Sequence, residues 1–216
     1  MKKIFKNKLW ISVGCILLCA IGLFLGIKGR EDRLSDKQIM ALREQYPVAS
    51  TASYGLGHII PRTMDEMIDA GTIHTFVYAE VIGEYQTYYK RMATGDEFMD
   101  EKLVGNGLGV MKFFECPISI IEDTEGIYQP GDVITITSNA MYKDMYPKLS
   151  EGMKVIIPLS GTNGDVNREF YAVAGMYYVT DNGYAISAYD ENTLASTTYS
   201  GLRVSALLED LKELIK

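Results

Sequence analysis

The hydrophobic positions of the chain form one long apolar run followed by many short alternating segments. The long run covers residues 9–27, where nineteen consecutive residues carry no charge. A helix of that length rises about 28 Å, close to the ~30 Å thickness of the hydrocarbon core of a bilayer. Trp10 stands at one end, where an aromatic ring favours the membrane interface. The pattern predicts a transmembrane helix over residues 9–27.

Two short amphipathic helices are predicted after this run. Each begins with a capping box, in which Ser or Thr is followed three residues later by Gln or Glu. The first box starts at Ser35 and its helix ends before Pro47, and the second starts at Thr63 and ends near Gly71. Residues 47–62 are rich in small residues, glycine and proline, which predicts irregular chain.

From residue 73 onward, apolar and polar residues alternate with the period of two that is typical of β-strands. The predicted strands cover residues 73–85, 108–123, 133–137, 153–159, 169–179 and 184–189. The acidic, glycine-containing stretch at residues 94–108 predicts a loop. The sequence Asp181-Asn182-Gly183 strongly predicts a hairpin turn. An amphipathic helix over residues 202–215 ends the chain.

These elements predict a mostly β domain with flanking helices. Pro117 lies inside the longest strand, where it favours a bend at the corner of a barrel. We expect a small, five- to six-stranded OB-like barrel, closed by a C-terminal helix, with a β-sandwich as the alternative. The predicted organisation is a cytoplasmic tail, a signal-anchor helix, a juxtamembrane helix with its linker, and the barrel domain, over residues 1–8, 9–27, 28–62 and 63–216.

Charge is distributed unevenly along the chain, whose net charge is −7. Residues 1–33 hold seven Lys or Arg against two acids, whereas residues 34–216 hold fourteen against twenty-six. The basic excess before the apolar run favours a cytoplasmic N-terminus, with residues 34–216 outside a single-pass cell membrane. The bilayer is thus one predicted partner. The acidic excess of the second part argues against nucleic acid as another.

Two alternatives to an uncleaved anchor remain open. A cleaved signal peptide has a shorter apolar stretch, and residues 26–29, Gly-Ile-Lys-Gly, lack the small-residue pair of a cleavage site. A lipoprotein would use Cys15, which follows small residues at 12–14, although Ser12 stands where Leu is usual.

Cysteine and histidine are scarce, which limits the chemistry available. Cys116 is the only cysteine after residue 27, so the domain has no internal disulfide, and its apolar strand predicts a buried thiol. His58 and His74 lack the spacing of a zinc site, and no catalytic motif accompanies them. We therefore expect no metal, no cofactor and no enzymatic activity. An envelope hydrolase or thiol enzyme that uses Cys116 or a histidine is the alternative.

Tyrosine is abundant, with fifteen residues in the chain. Its ring offers a flat apolar face beside a hydroxyl, which suits binding to glycans or protein surfaces. Tyrosine is also common in strands for structural reasons. The candidate ligand contacts, near predicted strand ends and loops, are Tyr85, Tyr88, Tyr89, Tyr142 and Tyr146.

Four segments and the closing helix carry a resemblance to a known group of proteins. The segments are TMDEMIDAGTIHTFVYAEVIG at 63–83, GDVITI at 131–136, LSEGMKVIIPLS at 149–160 and FYAVAGMYYVTDNGYAIS at 170–187. They resemble uncharacterised membrane-anchored exported domains of Gram-positive bacteria, whose fold is similar to the OB-like barrel of netrin and metalloproteinase-inhibitor modules. Inhibition of a metalloproteinase is not implied, because it requires a free N-terminal cysteine.

The function expected from these features is that of a membrane-tethered, extracytoplasmic binding or interaction module in a bacterial cell envelope. An envelope protein or a glycan is the expected partner. A structural accessory subunit of a membrane complex, docked through the closing helix, is a further alternative to an enzyme.

Overall fold

The structure is a computed structural model. It describes residues 33–49, 64–69, 71, 73–91, 96–105, 110–140, 146–162, 168–171, 175–189 and 198–215. The predicted helix at 9–27, Cys15, His58 and Tyr142 lie outside these residues. Within the described ranges, no helix combines the length and the hydropathy needed to cross a membrane.

The described chain is mostly β. Its elements are α1 Asp36–Leu42, α2 Met64–Asp69, β1 Thr75–Val81, β2 Gln86–Arg91, α3 Glu97–Gly105, β3 Val110–Asp123, β4 Val133–Asn139, β5 Lys154–Thr162, β6 Arg168–Tyr171, β7 Tyr177–Val179, β8 Ala185–Ser187 and α4 Val204–Ile215. The predicted mostly β class and the C-terminal helix are confirmed.

The number of strands was predicted too low, because eight are found where five or six were expected. The predicted strand 169–179 is interrupted, and its two halves, β6 and β7, pair with different parts of β5. Strand β2 was missed because its sequence, QTYYKR, is largely polar and does not alternate. Helix α3 replaces the predicted loop, since the Asp96 carboxylate accepts hydrogen bonds from the amides of Phe98 and Met99.

All eight strands belong to one sheet. Strand β1 pairs with β3, β3 with β4, β4 with β6 in parallel, β6 with β5, and β5 with β1. These five pairings return to the strand at which they began. Strand β2 adds to the first half of β3, and β7 and β8 extend the sheet from β5 as a hairpin.

Pro117 lies at the point along β3 where the paired strand changes from β2 to β1. Residues 110–115 of β3 pair with β2, and residues 118–123 pair with β1. The carbonyl of Pro117 accepts from the amide of Ile82, which lies in the gap between β1 and β2. Because the nitrogen and carbonyl of a strand residue face the same side, the missing N–H of Pro117 also faces this gap and costs no ladder hydrogen bond.

The core has two layers, one on each face of the sheet. Alternate residues of β1 face opposite layers, so Val77 lies in one and Phe76 in the other. The first layer contains residues from all five strands of the circuit and includes Ile118 and Ile157, both fully buried. The second lies under α4, whose buried side chains are Leu207, Leu208 and Leu211.

Residues 33–49 also pack onto the sheet, beside β8 and the stretch before α4. The amide of Leu34 donates to Gly201 O at 2.8 Å, and the amide of Ala49 donates to Ala188 O at 2.9 Å. Tyr46 is 5% exposed and joins the first core layer, as does Ala49. A domain start at residue 63 stays a prediction, but the core already contains residues from before it.

Candidate functional site

A cavity of about 410 Å³ opens between the ends of several strands. This volume lies in the range of roughly 300–1,000 Å³ that is typical of small-molecule sites. The cavity is lined mainly by apolar and aromatic groups, with a few polar side chains among them. Its lining residues are Tyr85, Phe114, Ser138, Tyr146, Pro147, Lys148, Leu149 and Ser150. We call it the tyrosine cavity.

Sheet register brings the walls of the tyrosine cavity together. Phe114 on β3 is the direct cross-strand partner of Ser138 on β4. Tyr85 lies in the connection between β1 and β2, and residues 146–150 lie in the chain before β5. Two strands and two connecting segments therefore fix the shape of the cavity.

A pair of tyrosine hydroxyls lies at one wall. The hydroxyl oxygens of Tyr85 and Tyr171 are 3.3 Å apart, and Tyr85 also donates to Pro147 O at 3.4 Å. The ring of Tyr146 meets that of Tyr171 edge-on, with centroids 4.9 Å apart. Burial is the main cause that raises the pKa of Tyr85 and Tyr171 well above the ordinary value for tyrosine. Both hydroxyls therefore remain protonated at neutral pH and can donate hydrogen bonds.

The described lining of the cavity contributes a positive charge, although residues 34–216 are acidic. Among the described lining residues, Lys148 is the only charged side chain, and it is exposed. The same set contains no carboxylate, imidazole or thiol. The chemistry offered is thus stacking, hydrogen bonding from hydroxyls, and attraction of an anion.

The five predicted tyrosines separate into different environments. Tyr85 and Tyr146 meet at the tyrosine cavity. Tyr88 lies on another face, stacked on Phe113 at 5.2 Å. Tyr89 is 67% exposed on the edge strand β2. Tyr142 lies outside the described residues. A role in ligand contact stays a prediction for all five.

Sequence reasoning missed several lining residues. Phe114 and Ser138 come together only through the β3–β4 register, which no local pattern specifies. Lys148 and Leu149 belong to a stretch without regular structure. Tyr171 supports the wall from inside a buried strand, where tyrosine is typical of the core. The clustering of tyrosine near strand ends was the only available signal.

Cys116 lies close to the cavity but is buried. It has no exposed surface, and its Sγ is 3.5 Å from Gly83 O. Burial raises the pKa of the Cys116 thiol to about 12. The thiol is therefore protonated at neutral pH, whereas nucleophilic catalysis requires the thiolate. The expected buried thiol is confirmed.

We expect Cys116 in the folded full-length protein to react with iodoacetamide at pH 8 at least about a hundredfold more slowly than in the unfolded chain. Peptide mass spectrometry distinguishes it from Cys15 and Cys19.

Because burial raises the pKa of this thiol, its contribution to stability is complete below the unfolded-state pKa of about 8.5 and is lost as the pH rises toward 12. Equal rates of iodoacetamide labelling in the folded and the unfolded protein would show that the Cys116 thiol is accessible.

Metal ligands do not gather in the described part of the chain, since no group of three or more His, Cys, Asp or Glu side chains there is placed to hold an ion. His74 lies near one carboxylate, that of Glu169, with 3.9 Å between Nε2 and Oε2. No family model matches the chain, and the comparison with curated proteins gives no match.

Proposed function

We propose that this chain is a membrane-tethered, extracytoplasmic binding module in which an OB-like barrel holds an anionic envelope glycan at the tyrosine cavity. The observation that carries the proposal is the composition of that cavity. It joins aromatic walls to tyrosine and serine hydroxyls and to the charge of Lys148. Such a lining, mostly apolar with a few placed polar groups, is typical of ligand sites.

The circuit of strand pairings supports the barrel part of the proposal. The order β1–β3–β4–β6–β5–β1 joins five strands with one parallel pair, β4 with β6. A partly open five-stranded Greek-key barrel of the OB type has this arrangement and is a frequent binding platform. A β-sandwich would instead divide the strands between two packed sheets.

The lining favours a sugar with an acidic substituent. A sugar ring presents an apolar face that stacks on aromatic side chains, and its hydroxyls pair with groups such as those of Tyr85 and Ser150. Lys148 attracts a carboxylate or phosphate on the ligand. Nucleic acid is disfavoured because residues 34–216 carry a net charge of −12, and binding to its backbone relies on many basic side chains.

The anchor places this site close to the bilayer in the proposal. Arg33 is already part of the fold, where its guanidinium donates to the carbonyls of Ser200 and Thr198. Five residues, 28–32, separate Arg33 from Ile27, the end of the predicted helix, and the chain between the two spans at most about 20 Å. The proposed ligand is thus a glycan that lies next to the membrane.

We expect Ser150→Trp to weaken ligand binding by at least about tenfold, because the indole would fill the mouth of the tyrosine cavity. The matched control is Ser205→Trp, at an exposed position on α4. Binding is measured by titration calorimetry on the full-length protein in nanodiscs. The probes are oligosaccharides that contain a uronic acid and the same chains as neutral methyl esters.

The ester is expected to bind more weakly than the acid, because it cannot pair with Lys148. Equal binding by the Ser150→Trp variant and the wild type, with Ser205→Trp unchanged, would show that the ligand does not bind at the tyrosine cavity. Failure of every oligosaccharide to bind the wild type would show that the ligand is not an acidic glycan.

A further inference from the structure

The turn between β3 and β4 has an unusual surface. Residues 121–133 contain four acids, Glu122, Asp123, Glu125 and Asp132, and no Lys or Arg. The same stretch exposes large apolar side chains, since Ile121 is 36% exposed and Ile127 and Val133 are each 53% exposed. We call residues 121–133 the acidic turn.

Two of the four acids help to build the acidic turn. The Asp123 carboxylate accepts hydrogen bonds from the amides of Glu125 and Tyr128 at 3.0 and 2.7 Å. It also accepts a hydrogen bond from the hydroxyl of Thr75 on β1. Glu122, Glu125 and Asp132 are exposed. The Asp132 carboxylate also accepts a hydrogen bond, from the amide of Gln129 at 2.8 Å. The turn is therefore held in shape by two carboxylates, and three of its acids, Asp132 among them, are presented to solvent.

A fifth carboxylate, Glu169, is buried beside the acidic turn. Its side chain is 5% exposed, and the Tyr128 hydroxyl donates to its Oε1 at 2.7 Å. Its Oε2 is buried and has no hydrogen-bond partner in the part of the chain that the structure describes. Buried polar atoms are normally partnered, because an unpaired charged oxygen is costly in a low-dielectric environment. This oxygen is thus an acceptor without a donor.

Two neighbouring side chains leave this acceptor available. The His74 Nε2 atom is 3.9 Å from Oε2, beyond hydrogen-bond distance, and the His74 side chain is 35% exposed. The adjacent cation, Arg168, donates to Glu115 on β3 at 3.0 Å. Neither neighbour donates to Oε2, so this oxygen is left for a donor that the described residues do not supply.

We propose that the acidic turn and Glu169 form a docking surface for a protein segment that carries a lysine or arginine between apolar residues. The cation donates to Oε2 of Glu169, and the neighbouring apolar side chains cover Ile121, Ile127 and Val133. Charge complementarity selects this partner, because the surface offers acids and apolar groups together and no basic residue in the turn. A metal ion fits less well, since the described residues offer no third ligand.

The test uses the full-length protein in nanodiscs of neutral lipid and the fluorescent synthetic peptide Gly-Leu-Lys-Leu-Gly. Binding is followed by anisotropy. We expect Glu169→Gln to bind about ten- to a hundredfold more weakly, because the amide keeps an acceptor for Tyr128 but presents a donor in place of Oε2. The matched control is Glu209→Gln on the exposed face of α4, which should bind as the wild type does.

Three further measurements decide the nature of the partner. Gly-Leu-Glu-Leu-Gly should not bind, and n-butylamine should bind much more weakly than the lysine peptide, since it covers few apolar side chains. Ile127→Ser should weaken peptide binding without touching Glu169, which keeps the test valid if Glu169→Gln unfolds. Unchanged binding by both variants overturns the proposal. Butylamine binding as tight as the peptide's also overturns it.

Discussion

A chain that begins at residue 50 is expected to lose cooperative folding, whereas one that begins at residue 33 is expected to fold. The difference arises because residues 33–49 form part of the core. Tyr46 is almost fully buried, and the partly buried side chains of Ile39 and Leu42 pack against the same core layer. Burial of these side chains contributes about 5 kcal/mol by the usual area relation.

Loss of the segment would also remove hydrogen bonds made to buried polar groups. The Arg43 guanidinium donates to Ser187 O at 2.6 Å, and the Tyr178 hydroxyl donates to Pro47 O at 3.0 Å. Each hydrogen bond lost costs about 0.5–1.5 kcal/mol, since Tyr178 keeps Lys148 O as an acceptor at 3.3 Å. Together with the apolar loss, this equals a large share of the 5–15 kcal/mol that stabilises a typical domain.

Thermal unfolding followed by circular dichroism compares the fragments 33–216 and 50–216. The longer fragment should show one cooperative transition, and the shorter one should show none. Tyr46→Ala in the longer fragment should lower the midpoint, while Val48→Ala, at an exposed position in the same segment, should leave it nearly unchanged. Equal midpoints for the two fragments would mean that the segment is a dispensable addition to the sheet.

The sequence was most informative where a local pattern determines structure. Asp181-Asn182-Gly183 predicted a hairpin, and β7 and β8 pair across this turn, with the Gly183 amide donating to Thr180 O at 2.8 Å. The predicted helix over 202–215 matches α4 because its leucines recur at helical spacing. The capping box at Ser35 is also present, with the Ser35 amide donating to Gln38 Oε1 at 2.9 Å.

Contacts between distant parts of the chain could not be predicted from such local patterns. The pattern after Ser35 predicted a short helix but not its position on the sheet, because a partner such as Ser187 lies 144 residues from Arg43. The candidate site shows the same limit. Tyr88 and Tyr89 are neighbours in a strand, so their side chains point to opposite faces and cannot share one site. Of the four predicted tyrosines that the structure describes, Tyr85 and Tyr146, from separate loops, line the tyrosine cavity.

Tyr178 connects the N-terminal segment to the tyrosine cavity. Its hydroxyl lies within hydrogen-bond distance of Pro47 O, in residues 33–49, and of Lys148 O at 3.3 Å, in the loop that lines the cavity. Burial raises the pKa of Tyr178 and the nearby Arg43 partly offsets that rise, so the hydroxyl remains a donor at neutral pH. The segment that follows the predicted anchor therefore also supports the proposed ligand site.

Gly201→Ala is expected to destabilise the full-length protein by about 2–5 kcal/mol, because two effects combine at this position. Gly201 has a φ of +90°, which costs an alanine about 1–2 kcal/mol. A Cβ at Gly201 would also lie 2.9 Å from the backbone oxygen of Leu34, which cannot move aside without displacing residues 33–34. Overlap of this kind costs about 1–3 kcal/mol.

Gly152→Ala separates the two effects, since Gly152 has a φ of +84° but its Cβ would meet no atom within 4 Å. We expect it to cost only about 1–2 kcal/mol, with the smaller shift in the thermal midpoint. Hydrogen exchange at the Leu34 amide, which donates to Gly201 O at 2.8 Å, provides a local readout. That amide should exchange faster in Gly201→Ala than in Gly152→Ala. Equal destabilisation and equal exchange in the two variants would show that residues 33–34 are not held against Gly201.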